Sequence, residues 1–234
     1  MSIILAIETS TDCASIALLK HEHMFVRELD EVKTHSAGLI PAIEQLCKDA
    51  NVSLSELNAI AYGAGPGAFT GLRTACGVVQ GLAFGLGLTC IPVLSLQAMA
   101  QQSLSRDQQV DVVCVLDARM NEVYWAHYRF HDGQFENPVP AQLSKLDEAL
   151  NYAKLNSINV VLGRGLEHAV ESMAGASVFH AMPHAREIVQ LALSELQRGA
   201  DIMPELVQPI YLRNKIAQTT IERESARAQI QERT

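Results

Sequence analysis

The sequence predicts an α/β protein made of two successive copies of one sheet-and-helix unit. Three observations carry that prediction. Short apolar runs rich in β-branched residues come in meanders of three. Each meander gives way to apolar residues at helical spacing. The order strand–strand–strand–helix–strand–helix then occurs twice, with the break near residues 101–109. The repeat is one of topology, without obvious repetition of sequence. A chain of 234 residues suits one large domain or two small ones. The division read from the pattern is an N-terminal lobe at 1–106, a C-terminal lobe at 107–216 and a flexible tail at 217–234.

In the first unit, residues 3–7, 15–19 and 24–29 are the strands of a meander, broken at Thr11-Asp12 and at His21-Glu22-His23. From 36 to 50 the period becomes helical, with Leu39, Ile43, Leu46 and Ala50 on one face. Pro41 lies early in that stretch, so the first turn is bent or the helix starts nearer to it. Residues 53–57 form a turn and cap before a strand at 59–62. The glycine-rich stretch from Gly63 to Gly71 opens a long helix over about 72–86, which Gly87 can end. A strand at 89–94 and a helix at 95–103, capped by Ser95, complete the unit.

The second unit begins with strands at 110–116 and 122–130, and His131-Asp132-Gly133-Gln134 turns into a third. A helix at 144–153, a strand at 159–162 and a helix at 185–198 follow. Pro204, Pro209 and Tyr211-Leu212-Arg213 read as extended and docked. From Thr219 onward the chain is rich in Glu, Arg and Gln, which predicts a frayed helix or a disordered end.

Composition narrows the function. Hydrophobic residues make up 48% and charged residues 19%, enough to bury a core and too apolar for a disordered chain. No apolar run reaches the ~20 residues of a membrane span, and Met1 to Glu8 carries no basic signal-peptide start. A cytoplasmic protein without membrane contact is expected. The net charge is −8, from 18 basic and 26 acidic side chains. Nucleic acid is held by clustered Lys and Arg that neutralise phosphates, so any nucleic-acid work needs a partner with a positive surface. The five cysteines are odd in number and include no C-x-x-C, which predicts reduced thiols packed as small hydrophobes.

Five constellations are candidates for chemistry. Glu8, Thr9, Ser10 and Thr11 sit at a strand end, where hydroxyls and amides hold a phosphate or cation, or simply make a polar turn. Gly65 and Gly67 lie in the glycine stretch, which is either an anion site at a helix N-terminus or a tight crossing where only glycine fits. It is neither a Walker loop nor G-x-G-x-x-G: no lysine follows and Pro66 removes a donor. Gly77, Gly81 and Gly85 form a bare helical stripe. Each costs the helix roughly 1 kcal/mol relative to alanine, so a close-packed partner is implied, internal or on another chain. His35 has Leu39 at i+4, where a helical metal pair needs a second histidine. Asp117 with Arg119, at the counterpart of the first turn, reads as a buried or interface pair whose bulky neighbours crowd a phosphate.

Four motifs together resemble one family. They are Ile4-Leu5-Ala6-Ile7-Glu8-Thr9-Ser10, the block Gly65-Pro66-Gly67-Ala68-Phe69-Thr70-Gly71-Leu72-Arg73, Asp117-Ala118-Arg119 with Glu122-Val123-Tyr124, and Pro209-Ile210-Tyr211-Leu212-Arg213. They resemble the TsaB (YeaZ) family of bacterial tRNA threonylcarbamoyladenosine biosynthesis proteins, over roughly residues 3–213. The resemblance implies the duplicated fold of actin, sugar kinases and heat-shock chaperones, with two mixed sheets flanked by helices. It implies a non-catalytic scaffold that binds and activates a TsaD-like transferase, the metal-holding paralogue that modifies adenosine 37 of tRNA. It also implies recruitment of a TsaE-like ATPase, a homodimer when the chain is alone, and contact with tRNA only through the complex. Carried onto this chain, the partner interface falls on Leu39, Ile43 and Leu46 of the first helix and Arg73, Gly77 and Gly81 of the second. Neither a catalytic residue nor a bound metal is expected, and no cofactor beyond weak ATP or ADP binding at Glu8, Thr9, Ser10, Gly65 and Gly67. The rival readings are a nucleotide-binding ATPase using those five residues and a metal-dependent glycoprotease-like enzyme.

Overall fold

The computed structural model describes residues 2–29, 35–104, 110–166, 168 and 176–213. The tail expected at 217–234 lies outside the described residues. The first sheet holds β1 (Ile3–Glu8), β2 (Ala14–Lys20), β3 (His23–Leu29), β4 (Ala59–Gly65) and β5 (Thr89–Leu94). Its order is β3-β2-β1-β4-β5: β1 to β3 form the antiparallel meander, and β4 and β5 add in parallel. The second sheet holds β6 (Val110–Arg119), β7 (Glu122–His131), β8 (Gln134–Ser144), β9 (Val160–Gly163) and β10 (Ser177–His180). Its order, β8-β7-β6-β9-β10, reproduces the first sheet strand for strand. This is the duplicated actin-like fold.

The helices are α1 (His35–Asp49), α2 (Phe69–Leu86), α3 (Ser95–Ser103), α4 (Leu146–Leu155) and α5 (Ala185–Gln197). α1 begins six residues before Pro41 and runs through it; proline removes one backbone donor there without ending the helix. α2 stops at Gly87, whose left-handed φ of 65° suits a residue without Cβ. Three expectations shift. The strand before the glycine stretch continues to Gly65, and α2 starts at Phe69. Ser95 is the first helical residue of α3 rather than its cap, and its hydroxyl points elsewhere.

Alternating strand faces decide the packing. One face of the first sheet, with Leu5, Ile7, Ile16, Leu18 and Ile60, is covered by α1 and α2. The other face is built from small residues, Ala6, Ala17, Ala59 and Ala61, and lets α5 approach through Ala185, Ile188, Val189 and Ala192. In the second sheet, Val113, Val115, Trp125 and Val161 receive α4. Val110, Val112, Cys114 and Leu116 receive Leu96, Met99 and Ala100 of α3. The lobes therefore exchange helices: α3 follows the first sheet yet covers the second, and α5 does the reverse. The two lie between the sheets, where the Gln101 amide donates to Gln190 Oε1 at 3.5 Å.

Candidate functional site

The end of β1 and the glycine stretch press on each other. Glu8, Thr9 and Ser10 are buried. The Ser10 amide donates to Glu8 Oε1 at 2.5 Å, and the Ser95 hydroxyl donates to Glu8 Oε2 at 3.1 Å. Burial pushes the Glu8 pKa up, against the pull of those hydrogen bonds. Thr9 Oγ1 donates to the Gly71 carbonyl at 2.7 Å, and the Ala68 amide donates to the Ser10 carbonyl at 2.6 Å. A Cβ on Gly63 would lie 2.0 Å from Glu8 Oε2, on Gly67 2.4 Å from the Ser10 carbonyl oxygen, and on Gly71 1.8 Å from that of Thr9. The glycines are needed here because backbone and carboxylate occupy the space a side chain would take. The tight crossing thus has direct geometric support.

A cleft of about 380 Å³ separates the lobes, lined in part by Ser10, Asp12, Gly67, Asp117, Arg119 and Arg164. Of the five residues assigned to nucleotide, Ser10 and Gly67 reach it, while Glu8, Thr9 and Gly65 do not line it. Amides a phosphate would call on are engaged: Ser10 N–H by Glu8, Cys13 N–H by Thr11 Oγ1, Ala68 N–H by Ser10, and Arg119 N–H by Asp117 Oδ1. Across the cleft Asp12 and Arg164 pair at 2.6 Å, and the guanidinium holds the Asp12 pKa below its usual value. Asp117 and Arg119 also pair, at 3.2 Å, but both are exposed, Arg119 by 87%. Of the two expected readings, the buried pair is corrected, because the β6–β7 hairpin tip is exposed at the cleft; the interface pair stays an expectation. Among the described residues no three His, Cys, Asp or Glu side chains converge to hold a metal, and no helix is long and apolar enough to cross a membrane.

The residues assigned to a partner interface divide. Leu39, Ile43 and Leu46 are fully buried against the chain's own sheet. The apolar stripe that identified α1 as a helix is occupied by the core, so these three cannot touch a partner; Gly38, Ile40, Pro41 and Glu44 face outward instead. Arg73 is exposed but engaged. Its guanidinium lies 4.0 Å over the Phe69 ring, and Nε donates to the Tyr211 hydroxyl at 3.0 Å. Gly77, Gly81 and Gly85 are exposed, and a Cβ on any of them would meet nothing within 4 Å. Beside them Phe84 is 73% exposed. Among the described residues, then, nothing packs on the stripe.

Sequence reasoning missed two arrangements. Arg213 reaches into the second lobe and pairs with Glu122 at 2.6 Å. His127, buried on β7, stands between the Tyr152 hydroxyl at 2.9 Å and Asp111 at 2.5 Å. A signal for the second existed: His127 continues the inward-facing series Val123, Trp125, where an apolar residue is expected.

Residues 30–221 match the family described as TsaD, tRNA N6-adenosine threonylcarbamoyltransferase. The tRNA threonylcarbamoyladenosine biosynthesis protein TsaB of Haemophilus influenzae is 34% identical over 225 residues, 91% of this chain and 94% of that protein. The TsaB protein of Escherichia coli is 31% identical, over 92% of this chain and 96% of that protein. Among solved structures, an uncharacterized Pseudomonas aeruginosa protein with similarity to peptidase YEAZ is 34% identical and superposes with a TM-score of 0.82, covering 91% of this chain and all of that one. YeaZ from Pseudomonas aeruginosa, 33% identical, gives 0.76 with the same coverage. On sequence, on strand order and on these matches, the chain belongs to the TsaB (YeaZ) family.

Proposed function

We propose that this chain is a non-catalytic subunit in the formation of N6-threonylcarbamoyladenosine on tRNA, and that it acts by laying the outer face of α2 against a TsaD-like subunit. The role in tRNA modification is supported by the names its full-length relatives carry. The scaffold mode is supported above all by one observation: Gly77, Gly81 and Gly85 stand bare on a helix whose opposite face is core. Each glycine weakens the helix by roughly 1 kcal/mol relative to alanine, and no intramolecular contact at the described residues compensates. A helix from another chain that approaches the backbone closely would. Arg73 and Phe84 flank the stripe and supply a cation and an aromatic ring, residue types that dominate protein interfaces. The homodimer and the heterodimer would use the same face and exclude each other. A TsaE-like ATPase would dock on the assembled pair, and tRNA would be met through the complex, consistent with the chain's net charge of −8.

The non-catalytic reading rests on Glu8. A carboxylate sealed beneath Gly63 and bonded to Ser10 and Ser95 is structural. The experiment is co-purification of a TsaD-like subunit with Gly81→Leu. The variant should keep native circular dichroism and lose the partner. A folded variant that pairs normally would remove the helix-stripe interface.

A further inference from the structure

Three of the motifs quoted above meet in the folded chain, and the proposed interface uses none of them in full. Residues 202–213 form a strap along the first lobe. The Cys90 amide donates to the Ile202 carbonyl at 2.9 Å, Gln80 Nε2 to that of Val207 at 3.0 Å, and the Ile210 amide to that of Ala64 at 2.7 Å. Tyr211 then packs on Phe69, with ring centroids 5.4 Å apart, and accepts from Arg73. Two residues later the strap changes lobe. Arg213, its side chain 17% exposed, pairs with Glu122 at 2.6 Å and donates to the Ala118 carbonyl at 3.1 Å. It also lies 3.0 Å from Met120 Sδ and 3.4 Å from the Arg119 carbonyl oxygen.

What Arg213 grips is a strained turn. Arg119, Met120 and Asn121 have φ of 64°, 58° and 58°, three successive non-glycine residues in the left-handed region. Such residues persist when surrounding contacts hold them. We infer that residues 202–213 are a tie between the lobes, and that Arg213 holds the β6–β7 hairpin in its left-handed turn. The setting of that hairpin at the cleft then depends on how the strap lies on α2. A second side-chain link across the cleft, Asp12 with Arg164, is about half exposed on both sides and screened by solvent. Arg213 makes the stronger connection because it is largely buried and its partners include backbone carbonyls. Whatever shifts Tyr211 on the α2 face is transmitted through two residues to the hairpin. This holds whether or not that face binds a TsaD-like subunit.

The test is hydrogen–deuterium exchange of the full chain, read by mass spectrometry. In Arg213→Ala, amides 119–123, 208 and 210–212 should exchange about tenfold faster, while β1 amides keep their protection. Arg73→Ala, which touches the strap and not the hairpin, should also quicken exchange at 119–123. Arg129→Ala, on the same strand as Glu122, should leave the hairpin unchanged. Should Arg213→Ala fail to fold, Glu122→Gln gives the same readout with a smaller rise of about threefold. Wild-type exchange at 119–123 in the folded Arg213 or Glu122 variant overturns the clamp. Wild-type exchange there in Arg73→Ala overturns the transmission from α2.

Discussion

Replacing Gly77, Gly81 and Gly85 together by alanine should stabilise the isolated chain while weakening its pairing. The magnitude follows from the geometry. All three positions are exposed, and a methyl group at each meets nothing within 4 Å. The gain is therefore helix propensity alone: close to 1 kcal/mol for each of the two interior sites and less for Gly85 near the helix end, about 2–3 kcal/mol in total. For a chain of this length that is a rise in melting temperature of roughly 5–10 °C. The melt should be followed at low protein concentration, where self-association adds nothing to the midpoint. The same three methyl groups would stand between two closely apposed helices in a complex. Overpacking costs about 1–3 kcal/mol per well-packed site, so affinity for a TsaD-like subunit, measured by titration calorimetry, should fall at least about tenfold. A more stable variant that binds with unchanged affinity would show that the stripe is no interface. A variant without any gain in stability would show that the stripe is already covered in the free chain.

The glycines on the other side of α2 predict the opposite result. Gly71→Ala drives a Cβ into the Thr9 carbonyl, 1.8 Å away, and should cost more than about 3 kcal/mol or abolish folding, as urea denaturation will show. For Glu8→Gln the sign of the pH effect is diagnostic. Burial raises the Glu8 pKa above 4.5, so the folded chain takes the proton more readily than the unfolded one. That contribution to stability is complete below 4.5 and is lost as pH rises through the raised pKa. The stability of Glu8→Gln minus that of the unchanged chain should therefore grow between pH 4.5 and neutrality, with reconstituted tRNA modification intact. A pH-independent difference would mean that Glu8 ionises as in water. His127→Phe keeps the ring and loses both bonds, to Tyr152 and Asp111. It should cost about 1–3 kcal/mol in urea, and a neutral substitution would mean that the chain of bonds is idle.

Much of the fold was legible because each sheet buries both faces, which leaves strands as apolar runs that stand out from their turns. β10 was not legible. Its four residues, Ser-Val-Phe-His, are half-exposed at a sheet edge and too short to show a period. The helix exchange was also hidden: a periodic pattern tells that Leu96, Met99 and Ala100 face something apolar, not which of two similar sheets they face. The interface reading failed at Leu39, Ile43 and Leu46 for a related reason. An amphipathic helix has one apolar stripe, and the core claimed it. Gly77 and Gly81 stood outside that stripe, which is why they end on the surface. Arg213 and Glu122 lay within quoted motifs, but nothing local links residues so far apart in sequence.

Two populations of glycine sit on adjoining segments, and one criterion separates them. Around Gly63, Gly67 and Gly71 an added Cβ finds an atom within 2.4 Å; at Gly77, Gly81 and Gly85 it finds nothing within 4 Å. The first group fuses β1, its turn and the start of α2 into one body through the Thr9–Gly71 and Ser10–Ala68 bonds. The strap fastens α2 from the other side at Gln80 and Arg73. A helix held this way loses little freedom when it meets a partner, so less of the contact energy is offset by ordering. Sealing Glu8 under the crossing and fastening α2 to β1 and the strap are therefore one piece of packing, and it holds rigid the exposed α2 face that we propose meets a partner.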